Sequence, residues 1–274
     1  MKRFFTPTLA AFLMVFTVGV ASVNAQDDQE YKEAYNAGIA AAEAKNYAAA
    51  YEEYGKAADL ATQAGDEEIA EKSRKIMAKI DKLLGTRAYK AGNYELALKH
   101  FDTGLTLDPS YAPNLHNKGL ALKQLGRIDE SMASLKLAAD SNDSKTSRAA
   151  DKAIRGYYHS EASKLVAKDN ASSTDAQRAI SLLTQMQEYV DADADTYFYS
   201  SLAHNVVRDY PAAIASADQA LAIHRGSKAD KAKIHFVKGE ALLNSGDSSG
   251  AKASFSEATY GSYKALAEHY LETL

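Results

Sequence analysis

Cysteine is missing from the 274-residue chain altogether. That excludes a disulfide framework, thiolate metal sites, a cysteine nucleophile and a lipid-modified N-terminal cysteine. Proline is scarce, and beyond residue 25 only Pro109, Pro113 and Pro211 remain. Ala, Lys, Glu, Leu and Tyr outweigh the β-branched residues, which favours helix over sheet. A basic surface is missing too. The chain holds 32 Lys+Arg against 36 Asp+Glu; residues 1–25 contain Lys2 and Arg3 and no acid, so the rest carries 30 bases against 36 acids, a net of −6. A nucleic-acid binder needs cationic surface to displace counterions, so no nucleic-acid partner is expected. Phosphate-cradling glycine loops and H-E-x-x-H are absent. The seven histidines (100, 116, 159, 204, 224, 235 and 269) never stand at i, i+4. No catalytic residue, metal site or cofactor is expected. What is there looks like an ordinary folded chain, with 25% charged and 46% hydrophobic residues.

The one long apolar run, Leu9 to Val20, follows Lys2 and Arg3 and leads into Val23-Asn24-Ala25. It is shorter than the roughly 20 residues that span a bilayer. A basic start, a short apolar middle and a small-residue site predict a secretory signal peptide over 1–25, leaving Gln26 first. The other reading is an uncleaved anchor. The mature chain is expected to be exported, periplasmic or secreted, with no stable membrane span.

The remainder repeats itself. A small residue is followed 12 later by another, four further on by a bulky one, and three after that by a small one. This gives Gly38, Ala50, Tyr54, Ala57; then Gly85, Ala97, Phe101, Gly104; then Gly119, Ser131, Leu135, Ala138; and near the end Gly239, Ala251, Phe255, Ala258. A weaker copy, Ser201, Ala213, Ala217, Ala220, has Ala217 where a bulky residue is expected. Offsets of three and four share one helical face, and small residues let two helix backbones approach closely. Turn signals lie between the two halves of each unit, as in Gly92-Asn93-Tyr94 and Gly246-Asp247-Ser248, where Gly ends one helix and Asn or Asp caps the next. Each unit therefore reads as a helix–turn–helix hairpin.

The run from Tyr89 to Pro109, closing on Asp108-Pro109, resembles the tetratricopeptide repeat in nearly every preferred column. The resemblance implies an all-α solenoid of about six such repeats with a C-terminal capping helix. Units are expected at 31–64, 78–111 and 112–145, forming an N-terminal block within 26–145. A C-terminal block, 146–274, holds a degenerate unit at 160–193 (Ala167, Ala179, Leu183, Met186), units at 194–227 and 232–265, and a capping helix over 262–274. Residues 65–77 should extend the first helix of the second unit, and 146–168 should form one long helix. The loop-like Asn170–Asp175 stretch is a candidate separator of the blocks. An end unit needs a cap because it would otherwise expose its apolar face.

In this family the first helix of each unit lines a concave groove that holds an extended peptide or partner helix. Carried onto this chain, the groove columns imply contact residues Tyr35, Asn36, Lys82, Thr86, Tyr89, His116, Asn117, Lys123, Tyr199, Asn205 and Glu240. Among them Lys82, Asn117 and Lys123 offer donors for a carboxylate, while Ile39 and Leu120 depart from the family's two-carboxylate clamp. The leading reading is thus an exported, non-catalytic scaffold for a protein or peptide partner in the cell envelope. The alternative is a small-ligand or glycan receptor using a tyrosine-lined pocket in 146–205. Asp191-Ala-Asp193-Ala-Asp195 imitates the start of a calcium loop, but Thr196 and Leu202 replace the required Gly and Glu, so these acids are expected to cap the next helix.

Overall fold

A computed structural model describes residues 15–168 and 170–274, with side chains from Gln29 onward. Among the described residues there is no strand. Paired helices follow in order: α1 (Val15–Glu43) with α2 (Tyr47–Ala64), α3 (Glu67–Lys90) with α4 (Tyr94–Leu107), and α5 (Ala112–Gln124) with α6 (Ile128–Ala139). Next come α7 (Ser144–Val166) with α8 (Ser173–Met186), α9 (Ala194–Val206) with α10 (Tyr210–Ile223), and α11 (Lys228–Asn244) with α12 (Ser248–Glu257). A 3-10 turn (Gly261–Tyr263) and α13 (Lys264–Thr273) close the chain. The protein is an all-α solenoid of helical hairpins. It divides into two compact units, Met1–Ser141 and Asn142–Leu274. Of the expected leader, 1–14 lies outside the described residues, and α1 starts at Val15. Among the described residues no helix is long and apolar enough to cross a membrane.

The repeated small and bulky positions meet where the two helices of a hairpin cross. An ideal Cβ built on Gly119 would lie 2.6 Å from Leu135, one on Gly239 2.7 Å from Phe255, and one on Gly38 3.0 Å from Tyr54. Tyr54, Phe101, Leu135 and Phe255 are all buried. Each fills the space beside a crossing that a larger first-helix residue would block. The fifth hairpin solves the same problem with polar atoms. Ala217 leaves room, and buried Ser201 uses it to donate Oγ to the Ala213 carbonyl at 2.9 Å. The third hairpin reverses the roles, with Ser131 Oγ donating to the Gly119 carbonyl at 2.7 Å.

Five of the six hairpin turns share one geometry. Their middle residue is left-handed: Lys45 (φ 59), Gly92 (φ 78), Gly126 (φ 75), Arg208 (φ 62) and Gly246 (φ 93). The next residue starts the second helix, and its side chain caps it at Asn46, Asn93, Asp209 and Asp247. Arg127 holds that place in the third hairpin, makes no cap bond, and instead pairs with Glu130 at 2.7 Å.

The fourth hairpin departs from the expected register. Its connection runs over 167–172, six residues where the others use three. The crossing therefore moves back along α7. Ala162 and Val166 pack against Ala176, Ala179 and Leu183, whereas Ala167, expected at the crossing, is exposed just past the end of α7. Of the loop-like Asn170–Asp175 stretch only 170–172 belongs to this connection, Ser173 to Asp175 being the first turn of α8; the stretch lies within the second unit, and Ser172 and Asp175 form a reciprocal capping box there. Residues 67–77 belong to α3. At the C-terminus, α13 buries Ala267 and lays Tyr270 and Leu271 on the Phe236–Phe255 cluster.

Candidate functional site

In the first unit the first helices α3 and α5 lie side by side. Buried Asn114 ties them, its Nδ2 donating to the Ala78 carbonyl at 3.2 Å. The expected contact residues then line a half-buried polar face. Thr86 Oγ1 bonds its own helix at the Lys82 carbonyl (2.7 Å) and accepts from Asn117 Nδ2 at 3.4 Å. Asn117 Oδ1 lies 3.2 Å from His116 Nδ1, and the Tyr89 hydroxyl accepts from Gln124 Nε2 at 3.3 Å. Tyr89 also packs edge-on against Tyr94. Lys82 and Lys123 flank this network, half-buried and without an ion pair among the described residues. Tyr35 sits on α1, edge-on to buried Tyr54 at 5.4 Å, with Lys72 over its ring; Asn36 beside it is exposed. The network so fixes the donors of Asn117 and Gln124, which sequence spacing alone did not link. Gln124 was outside the expected set, although it adjoins Lys123 in the chain.

In the second unit α9 packs on both α7 and α11. Tyr199 is half-buried between Phe198 and His159, and Asn205 Nδ2 donates to the Val237 carbonyl at 3.0 Å. Glu240 stands three residues beyond Val237 on α11, and burial pushes its carboxyl up to about 7. Tyr263 and Tyr270, from the C-terminal turn and α13, are raised mainly by burial; the Glu240 carboxylate adds to this at both rings, while at Tyr263 the Lys233 ammonium works against it. No repeat column pointed to these two rings, because they come from the cap.

The other expected candidates resolve into structural roles. Asp193 caps α9, accepting from Thr196 N at 2.9 Å, and Asp195 pairs with Lys233 at 2.6 Å. Arg155 holds the preceding turn through the Asp191 carbonyl at 3.0 Å. His159, its basicity lowered by burial, lies 2.8 Å from Thr196 Oγ1. The clustered tyrosines pack on one another: Tyr158 is buried, edge-on to Tyr157 and stacked with Tyr189. Among the described residues no group of three His, Cys, Asp or Glu is placed to hold a metal ion.

Successive helical hairpins, four of the six closed across a glycine crossing, define a helical repeat protein. The tetratricopeptide repeat family model matches residues 112–144, the α5–α6 hairpin. That hairpin is a tetratricopeptide repeat unit, and the same crossing recurs in neighbouring hairpins. No curated protein matches the sequence. Among solved structures it is similar to MamA, residues 41 to the end, from Desulfovibrio magneticus RS-1 (17% identity, TM-score 0.38), over 67% of this chain and 93% of that one. It is also similar to a thermophilic tetratricopeptide repeat protein of Thermus thermophilus (19%, TM-score 0.32), covering 71% and 99%. A tetratricopeptide repeat protein from Parabacteroides merdae (15%, TM-score 0.31) covers 89% and 98%. At such scores these likenesses carry no argument about function.

Proposed function

We propose that the chain is an exported, non-catalytic scaffold that holds a protein or peptide partner on its first-helix faces. The repeat fold supports a protein-interaction role. The observation that carries the finer reading is the α3–α5 face, where Asn117, Thr86 and Tyr89 are fixed by cross-helix hydrogen bonds. Lys82 and Lys123 stand beside them without acidic partners among the described residues. Preorganised donors next to uncompensated cations suit a peptide carrying carboxylates. In 146–205 the Tyr157, Tyr158 and Tyr189 rings pack on one another and Tyr199 packs on Phe198 and His159, which supports this reading over a small-ligand or glycan receptor.

A photo-crosslinking residue placed at Lys123 or Tyr89 should give protein adducts in envelope fractions, while one at exposed Leu137 on α6 should not. Adducts from Leu137 alone would overturn the face assignment. Export is tested by the mass and N-terminus of the mature chain, expected to begin at Gln26. A full-length chain retained in the cytoplasm would refute export.

A further inference from the structure

Glu240 lies where α11 meets the C-terminal turn and α13. Its half-buried carboxyl forms no hydrogen bond or ion pair among the described residues. Aromatic rings stand around it. Phe236, one turn earlier, packs at 5.2 Å from Tyr263 and 5.7 Å from Tyr270 (ring centroids), and both tyrosines feel the Glu240 charge. A second acceptor comes from α9. Asn205 commits its Nδ2 to the Val237 carbonyl, three residues before Glu240, and its Oδ1 is buried with no donor. The neighbouring base does not supply one. Lys233, two turns before Glu240, is held by Asp195 at 2.6 Å and lies 4.7 Å over the Phe198 ring.

Two acceptors without donors, in a partly dry setting beside two tyrosine rings, are complementary to a cation that carries N–H groups. Leaving such acceptors desolvated is costly. Ring faces attract ammonium and guanidinium groups, and a carboxylate bonds them more strongly than a neutral acceptor does. An anionic group would be repelled by the ionised carboxylate, and a neutral donor would gain less from it than a cation does. We propose that Glu240, Asn205 Oδ1 and the rings of Tyr263 and Tyr270 form a subsite for the cationic end of a lysine or arginine side chain on the partner. This deepens the partner-binding reading and rests on it.

The test uses the full mature chain labelled with carboxyl-¹³C glutamate. Nα-acetyl-lysine methylamide and the arginine analogue should shift the Glu240 carboxyl signal saturably and lower its titration midpoint, because a bound cation favours the ionised form. The norleucine analogue should do neither. Glu240→Gln should weaken cation binding about tenfold or more. The wild-type signal itself decides the matter should that variant unfold. A flat titration, or an equal response to norleucine, overturns the subsite. A mixed-sequence peptide library panned on wild type and Glu240→Gln separates this failure from that of the wider reading. Lys/Arg enrichment on wild type alone supports the subsite. Equal Lys/Arg content on both proteins sinks it and leaves partner binding standing. Retention of no peptide by either protein sinks the partner-binding reading, and the amine titration still judges the Glu240 cradle.

Discussion

The Phe101 ring occupies the place a side chain on Gly85 would need: an ideal Cβ there would lie 2.5 Å from Cε1 of the ring. Phe101→Ala should therefore cost about 3–5 kcal/mol, since the ring is buried and its neighbours cannot close the gap. Gly85→Leu should cost about 1–3 kcal/mol or more through overpacking. Urea unfolding gives both values, and a Phe101→Ala loss under half that range would mean the ring does not fill the crossing.

Lys45 and Arg208 hold the left-handed conformation that glycine takes in the other turns of this type (φ 59 and 62). A side chain there strains the backbone by about 1 kcal/mol. Glycine relieves that strain but loosens the unfolded chain, so Lys45→Gly and Arg208→Gly should each stabilise by up to ~0.5–1 kcal/mol. Thermal melts that fall for both variants would refute this.

Glu240 makes the second unit pH-sensitive. Its folded pKa, about 7, lies above the ordinary 4.5, so the folded state binds the proton more tightly than the unfolded one. Its stabilising share is complete below about pH 4.5 and is lost as pH rises through 7, an upper bound of about 3 kcal/mol. Denaturation between those limits should show the decline in wild type, and Glu240→Gln should flatten it. An unchanged slope in the variant would assign the dependence to another group.

On the first unit's face, Lys123→Glu should cut capture of an acidic partner peptide at least tenfold while moving stability by no more than about 0.5 kcal/mol. Peptide titration together with a melt checks this. Undiminished capture by a folded variant would remove Lys123 from the contact surface.

Most of the hairpin architecture was legible from the sequence because a crossing leaves a rigid trace. Only a tiny residue fits opposite Tyr54, Phe101, Leu135 or Phe255, and the interval between the two is set by turn length. Where the turn lengthened, after Val166, the same rule misplaced the crossing onto Ala167, since no small residue announces how many residues the connection holds. The candidate faces were legible as columns but not as chemistry. The Asn117–Thr86 and Gln124–Tyr89 bonds join residues 31 and 35 positions apart, and only helix stacking brings them within reach. Tyr263 and Tyr270 escaped the column logic because the closing helix follows no repeat register.

Within each unit, every helix after the first packs mainly on the one before it or on the one before that. Order of synthesis and order of assembly therefore coincide, and little apolar surface must wait for a distant segment. Trimming from the C-terminal end should accordingly shorten the array one step at a time, leaving the earlier steps intact.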